Sequence, residues 1–202
     1  MTKIKICGLM TAEDIACVNH NHVDFAGFVL FCPKSKRNMP IARAVELVGN
    51  LSKQIKKVAV TVSPSEEQLR RAKEAGFDYI QIHGDVPEQV LRQAGIPVLK
   101  AFNGRDREDI SRFRQPQVAG YVLDAENPGS GRPFDWQGLK GISCGGRLFI
   151  LAGGLSAENV EEAIAMVRPD VVDVSSSVEY GDRQGKDPRK VEEFCRAVRN
   201  AE

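Results

Sequence analysis

A chain of 202 residues, 42% hydrophobic and 27% charged, is long enough for one sizeable core and has the balance of an ordinary globular domain. Its net charge of +1 argues against a surface built to coat nucleic acid or an anionic membrane, while leaving room for a local nest of donors around a small anion. No apolar run reaches the length of a membrane-spanning helix, and Met1-Thr2-Lys3-Ile4-Lys5 leads into an alternating strand rather than a signal-peptide core. The five cysteines (Cys7, Cys17, Cys32, Cys144 and Cys195) are odd in number and lack C-x-x-C spacing, so free thiols in a reducing cytoplasm are expected.

In chain order, Ile4 to Cys7 reads as a first strand closed by Gly8, and Thr11 with Asp14 as the cap of a first helix. Phe25 to Leu30 is a nearly continuous apolar run, as in a strand buried on both faces. A polar loop to Asn38 follows, and Pro40 opens a helix whose Ile41, Ala44, Val45 and Val48 are expected to share the apolar face. Lys57 to Val62 is the third strand, and Ser65-Glu66-Glu67-Gln68 a capping box for a helix ending at Gly76. Tyr79 to His83 is the fourth strand, Pro87 to Gln93 a short helix, Pro97 to Phe102 the fifth strand and Arg105 to Phe113 its helix. Gly120 to Asp124 is the sixth strand, with only Phe134 to Leu139 left for a stunted helix. Arg147 to Ala152, a helix capped by Ser156 with the stripe Val160, Ala163, Ile164 and Val167, the strand Val171 to Ser175 and the helix Pro188 to Asn200 complete the chain.

Eight strand–helix units with short connections predict parallel pairing and a closed (β/α)8 TIM barrel, a minimal single domain over residues 1–202 with a shortened sixth helix. The alternative, an open doubly wound sheet, lacks a G-x-G-x-x-G after the first strand.

Such a barrel carries its active site at the C-terminal ends of the strands. The residues there are Cys7, the Lys34–Arg37 loop, His83, Asp124, and two stretches of small residues, Gly153-Gly154 and Ser175-Ser176-Ser177. Small residues after a buried strand let backbone N–H groups approach a phosphate. A lone cysteine is more often core than catalyst, but a thiol at the mouth beside cations can act as base or nucleophile. Asp124 serves equally as a turn cap or, facing Cys7, as a general acid. Arg37 has the fork to hold a carboxylate bidentately, whereas a solvated loop is the plainer reading of its neighbours. His83 reads first as a structural histidine, His20 and His22 as surface, and Trp136 as packing on the barrel exterior.

Together, Lys5-Ile6-Cys7-Gly8, Gly27-Phe28-Val29 with Pro33-Lys34-Ser35-Lys36-Arg37, Gln81-Ile82-His83-Gly84, Leu123-Asp124, Gly129-Ser130-Gly131 with Phe134-Asp135-Trp136, Gly153-Gly154-Leu155 and Val172-Asp173-Val174-Ser175-Ser176 form an ordered set spanning the chain. That set resembles the phosphoribosylanthranilate isomerases of tryptophan biosynthesis. The resemblance implies an Amadori rearrangement of N-(5′-phosphoribosyl)anthranilate to 1-(o-carboxyphenylamino)-1-deoxyribulose 5-phosphate. It implies Asp124 as general acid on the ribose ring oxygen and Cys7 as general base at C2. It further implies Arg37 on the anthranilate carboxylate, with His83, Gly153, Gly154, Ser175, Ser176 and Ser177 among the substrate-binding residues. No metal or organic cofactor is implied, and the partners expected are the small phosphosugar alone and, at most, a second copy in a homodimer, with no nucleic acid and no membrane.

The chain departs from the family's usual pattern at Ser177, where glycine is common, at Pro128, at Val60-Thr61-Val62-Ser63 and at Ala152. Ser177 predicts a restricted backbone at the phosphate loop and one added hydroxyl. The competing readings are a differently specific phosphosugar enzyme (an epimerase, or an indole-forming lyase, which needs a lysine at a strand end where Lys100 lies within the fifth strand), a non-catalytic phosphosugar-binding barrel, and a thiol redox protein without a nearby resolving cysteine.

Overall fold

Strands that are apolar on both faces have to be covered on both sides, and the eight strands of this chain meet that need in a closed barrel. The computed structural model describes residues 1–103, 110–124 and 136–201. The strands are β1 (Lys3–Cys7), β2 (Phe25–Val29), β3 (Lys56–Val62), β4 (Tyr79–His83), β5 (Val98–Asn103), β6 (Val118–Asp124), β7 (Leu148–Leu151) and β8 (Val171–Val174). Each pairs in parallel with the next, and β8 returns to β1 with Asp173 opposite Lys5, closing the ring. The barrel predicted from the alternating pattern is therefore present, and the open doubly wound sheet is not.

Side-chain alternation divides the apolar residues into two cores. Phe25, Val29, Val58, Val60, Leu99, Val122, Ile150 and Val171 fill the barrel. Ile4, Ile6, Phe28, Ile80, Ile82, Leu123, Leu151 and Val172 point outward to the helices. Each such large side chain, fully buried, contributes about 1.5–3 kcal/mol.

Helices α1 (Ala12–His20), α2 (Ile41–Val48), α3 (Glu66–Glu74), α4 (Glu88–Arg92), α5 (Val160–Val167) and α6 (Pro188–Asn200) cover the outside. Both predicted capping boxes form: Thr11 with Asp14, and Ser65 with Gln68. Trp136 is buried in the outer core, within a 3-10 turn at Trp136–Leu139 where a stunted helix was expected. His20 and His22 are exposed.

Two local expectations fail. Val45 is 43% exposed, because Ala44 and Leu47 take the buried face of this two-turn helix. The N-cap of α5 is Asn159 rather than Ser156. Asn159 Oδ1 accepts from the Ser156 N–H at 2.8 Å and its Nδ2 donates to the Gly154 carbonyl at 2.9 Å, so the chain turns once more before the regular helix begins. Most of the expected helix Arg105–Phe113 and the residues Pro128, Gly129, Ser130, Gly131, Phe134 and Asp135 lie outside the described residues; 110–112 form a 3-10 turn. Among the described residues, no helix is long and apolar enough to cross a membrane.

Candidate functional site

The C-terminal end of β1 is shaped by two glycines. Cys7 pairs with Gly27 on β2, and a Cβ at Gly27 would lie 2.9 Å from Cys7 Sγ and 3.1 Å from its Cα. The glycine in Phe-Ala-Gly-Phe-Val is thus the space that the thiol occupies. At Gly8, φ is +76°, and a Cβ there would fall 2.4 Å from Cδ of Arg37, so the arginine stem crosses the mouth directly over this residue.

Below Cys7 lies a buried ion pair. Lys5 is 0% exposed at its side chain, and its ammonium donates to Asp173 Oδ2 at 2.6 Å. Burial pulls the lysine toward its neutral form, but the attraction of Asp173, helped by Cys7, outweighs it and keeps the ammonium charged. Burial pushes the Cys7 thiol above its ordinary range, with Lys5 and Lys186 working against that push.

Arg37 is not a free loop cation. Its Nε donates to Glu179 Oε1 at 2.5 Å; Lys36 donates to the other oxygen at 2.9 Å, and the fully buried Lys186 reaches Oε1 at 3.2 Å. Burial alone would raise the Glu179 carboxyl, but the hydrogen bonds from Arg37 and Lys36 and the charge of Lys186 hold it at about 2. Lys186 also donates to the Ser175 carbonyl at 3.0 Å.

Asp124 ends β6 on the inward-facing register, three strand steps from β1 around the closed ring, and is partly buried. His83 ends β4 on the same inner face. Its Nε2 lies 2.8 Å from Gln81 Nε2. Burial, then the charges of Lys5 and Lys100, lower His83 to about 4, so the ring is neutral at physiological pH.

The loops after β7 and β8 sit side by side at the rim. Gly153 and Gly154 have φ of +83° and +67°. A 3-10 turn, Ser176–Val178, follows Ser175. Among the described residues, the N–H groups of Gly153, Gly154, Ser176 and Ser177 make no backbone hydrogen bond, which leaves them available to an anion. Two of the serine hydroxyls are committed elsewhere: Ser175 Oγ donates to the Cys7 carbonyl at 2.9 Å, and Ser177 Oγ to the Leu155 carbonyl at 2.6 Å. Ser177 does not need a positive φ, so serine is unstrained where glycine was expected. Its hydroxyl ties the two loops together rather than adding a donor.

The likeness to known proteins extends along the whole barrel. The family model for N-(5′-phosphoribosyl)anthranilate isomerase matches residues 4–197. The chain belongs to this isomerase family. An isomerase of this name from Clostridium kluyveri is 43% identical over 203 residues, covering 99% of both chains. One from Thermoanaerobacter pseudethanolicus is 40% identical over 206 residues, covering 98% of both. The solved isomerase from Thermotoga maritima superposes with a TM-score of 0.88 at 33% identity, covering 99% of this chain and all of that one. A second solved phosphoribosylanthranilate isomerase, at TM-score 0.86 and 32% identity over 99% of this chain and 100% of its own, is in complex with reduced 1-(o-carboxyphenylamino)-1-deoxyribulose 5-phosphate.

Within this isomerase fold, Lys100 carries the outward register of β5, between Val98 and Phe102. Its ammonium lies 4.7 Å and 5.1 Å from the ring centroids of Phe102 and Phe113 and is buried. It is not at the mouth, where the lyase reading requires a lysine. Among the described residues, no cluster of three or more His, Cys, Asp or Glu side chains could hold a metal ion.

Sequence reasoning gave no role to Lys5, Asp173, Glu179 and Lys186. A signal existed for the first pair: two charged residues with inward register inside otherwise apolar strands have to meet each other. No local pattern marks Glu179 and Lys186, whose partners lie on distant segments.

Proposed function

We propose that this chain converts N-(5′-phosphoribosyl)anthranilate to 1-(o-carboxyphenylamino)-1-deoxyribulose 5-phosphate, with Asp124 as general acid and Cys7 as general base. The observation that carries the assignment is the inward register of both groups at the strand ends, on different sides of one mouth. A proton from Asp124 to the ribose ring oxygen breaks the C1–O bond and leaves a Schiff base at C1. Cys7 then takes the proton from C2, and the electron pair forms the enolamine. Its tautomerisation to the ketone completes an internal redox exchange, with C2 oxidised and C1 reduced and no atom lost.

Anchoring supports the same reading. The N–H groups of Gly153, Gly154, Ser176 and Ser177 suit the phosphate, and the guanidinium of Arg37 suits the anthranilate carboxylate. His83, neutral at physiological pH, offers the sugar a polar ring edge but no cationic acid. Positioning of this kind supplies on the order of 7–11 kcal/mol at best, and each proton-transfer group about 10²–10⁴-fold. The free thiols suit a reducing cytoplasm. The chain acts as a monomer or homodimer, to be settled by its sedimentation mass; one solved relative is described as monomers generated from the dimeric isomerase of Thermotoga maritima.

The test is turnover of freshly made substrate, followed as loss of anthranilate-type fluorescence. Folded protein without turnover overturns the isomerase reading. Cys7→Ser and Asp124→Asn are each expected to cut kcat by at least about 10²-fold while leaving product-analogue affinity near wild type. Wild-type kcat in both variants overturns the acid–base assignment.

A further inference from the structure

A guanidinium has two edges that can grip a carboxylate: the side edge through Nε and one terminal nitrogen, and the end edge through both terminal nitrogens. In Arg37 the side edge is taken, because Nε donates to Glu179. Among the described residues, neither terminal nitrogen of Arg37 makes a hydrogen bond, and its side chain is 22% exposed. The stem is pinned over Gly8, whose missing Cβ would meet Cδ at 2.4 Å. We propose that Glu179 is the positioning residue for Arg37: it occupies the side edge and presents the end edge to the substrate carboxylate, so that it sets affinity for the carboxylate-bearing end of the substrate.

Glu179 is built to hold rather than to react. Both carboxylate oxygens are engaged, one by Lys36 and the other by Arg37 and Lys186. Its backbone carbonyl accepts from Lys190 Nζ at 2.9 Å. Lys186 is itself fixed: its side chain is 0% exposed, its ammonium donates to the Ser175 carbonyl, and its backbone N–H donates to Asp14 Oδ1 of the first helix cap at 2.7 Å. Three cations surround one carboxylate, so the cluster keeps a positive balance and attracts a substrate anion despite the glutamate within it. The arrangement also sets the rim residue that opens the β8 loop and the arginine from the β2 loop on one strut, through Lys186 and Glu179.

The inference rests on Arg37 holding the substrate carboxylate, and the test separates the two. Steady-state kinetics are compared for wild type, Glu179→Gln, Glu179→Asp, Arg37→Met and the double variant Arg37→Met/Glu179→Gln, together with competitive inhibition by inorganic phosphate. Glu179→Gln is expected to raise KM roughly ten- to hundredfold, the scale of one charge-assisted hydrogen bond, with kcat changed less than about threefold. Glu179→Asp recovers part of the loss. The inhibition constant of phosphate stays at the wild-type value, which also shows that the rim is folded. In the Arg37→Met background, removing Glu179 adds nothing further, because its effect passes through the arginine.

A wild-type KM for Glu179→Gln beside a raised KM for Arg37→Met overturns the proposal and leaves the Arg37 reading standing. So does an additive double variant, or a phosphate constant that rises in step with KM, since either shows a general structural role. A wild-type KM for Arg37→Met overturns the Arg37 reading and the proposal with it.

Discussion

His83 gives the fold a measurable acid sensitivity. In an unfolded chain the ring takes a proton below its ordinary value of 6.5; in the barrel it does so only at about 4, because burial and then the charges of Lys5 and Lys100 oppose the cation. Between those values the unfolded chain binds the extra proton, so stability is fully present above pH 6.5 and falls as the pH drops toward 4. At about 1.4 kcal/mol for each pH unit, the loss reaches about 3 kcal/mol. Glu179, held at about 2 against an ordinary 4.5, contributes stability above pH 4.5 that is lost below that window. The comparison is therefore made between pH 7 and pH 4. Urea unfolding of wild type and His83→Gln at both values isolates the ring's share. Wild type is expected to lose about 3 kcal/mol more than the variant over that drop, roughly a 1–2 M difference in how far the midpoint moves. Two proteins whose stabilities track each other within about 1 kcal/mol would refute the neutral ring.

Gly27→Ala drives a methyl to 2.9 Å from Cys7 Sγ and 3.1 Å from its Cα, so stability should fall by about 1–3 kcal/mol and kcat with it; unchanged melting and turnover would contradict the tight β1–β2 contact. Alkylation of Cys7 by iodoacetamide, resolved by peptide mass, should accelerate with pH to beyond about 8.5, because burial raises the thiol; a plateau below pH 7 would mean a resting thiolate instead. Ser177→Gly removes the bond to the Leu155 carbonyl and should cost about 1 kcal/mol in urea unfolding with phosphate inhibition unchanged; a tenfold weaker phosphate constant would make the hydroxyl a ligand contact. Lys5→Met strands the Asp173 carboxylate and should cost about 3–5 kcal/mol, most of it regained in Lys5→Met/Asp173→Asn, and Cys7 alkylation should be slower than in wild type in the single variant; a wild-type alkylation rate there would remove Lys5 from the thiol's chemistry.

The barrel was legible because its determinants are local. Phe-Ala-Gly-Phe-Val has the short, continuous apolar run of a strand covered on both sides, and Thr11 to Asp14 and Ser65 to Gln68 write their own caps. The strand ends then brought Cys7, Asp124, His83 and the two small-residue loops to one rim. Local boundaries were less legible where two patterns compete. Val45 lies on the apolar side of an ideal helical wheel, yet α2 has only two turns and seats Ala44 and Leu47 instead. Ser156 is a good cap residue, but Asn159 bonds both the Ser156 N–H and the Gly154 carbonyl and shifts the start of α5. The supporting charges were illegible for a different reason. Lys5 finds Asp173 168 residues away and Arg37 finds Glu179 142 residues away, and no sequence period encodes such a meeting.

Those distant pairings carry the electrostatics of the site. Three lysines are nearly or fully buried, and their register separates their roles: Lys100 faces outward against aromatic rings, Lys5 faces inward under the thiol, and Lys186 holds the rim. A buried ion pair adds little net stability over a well-packed apolar pair, so the fold alone does not call for Lys5 inside the barrel. Its charge has two consequences at the mouth. It favours loss of the proton from Cys7, against the burial that retains it, and it disfavours a proton on His83. Lys5 thus sets the field at Cys7 and His83 from beneath the mouth, without itself standing at the strand ends.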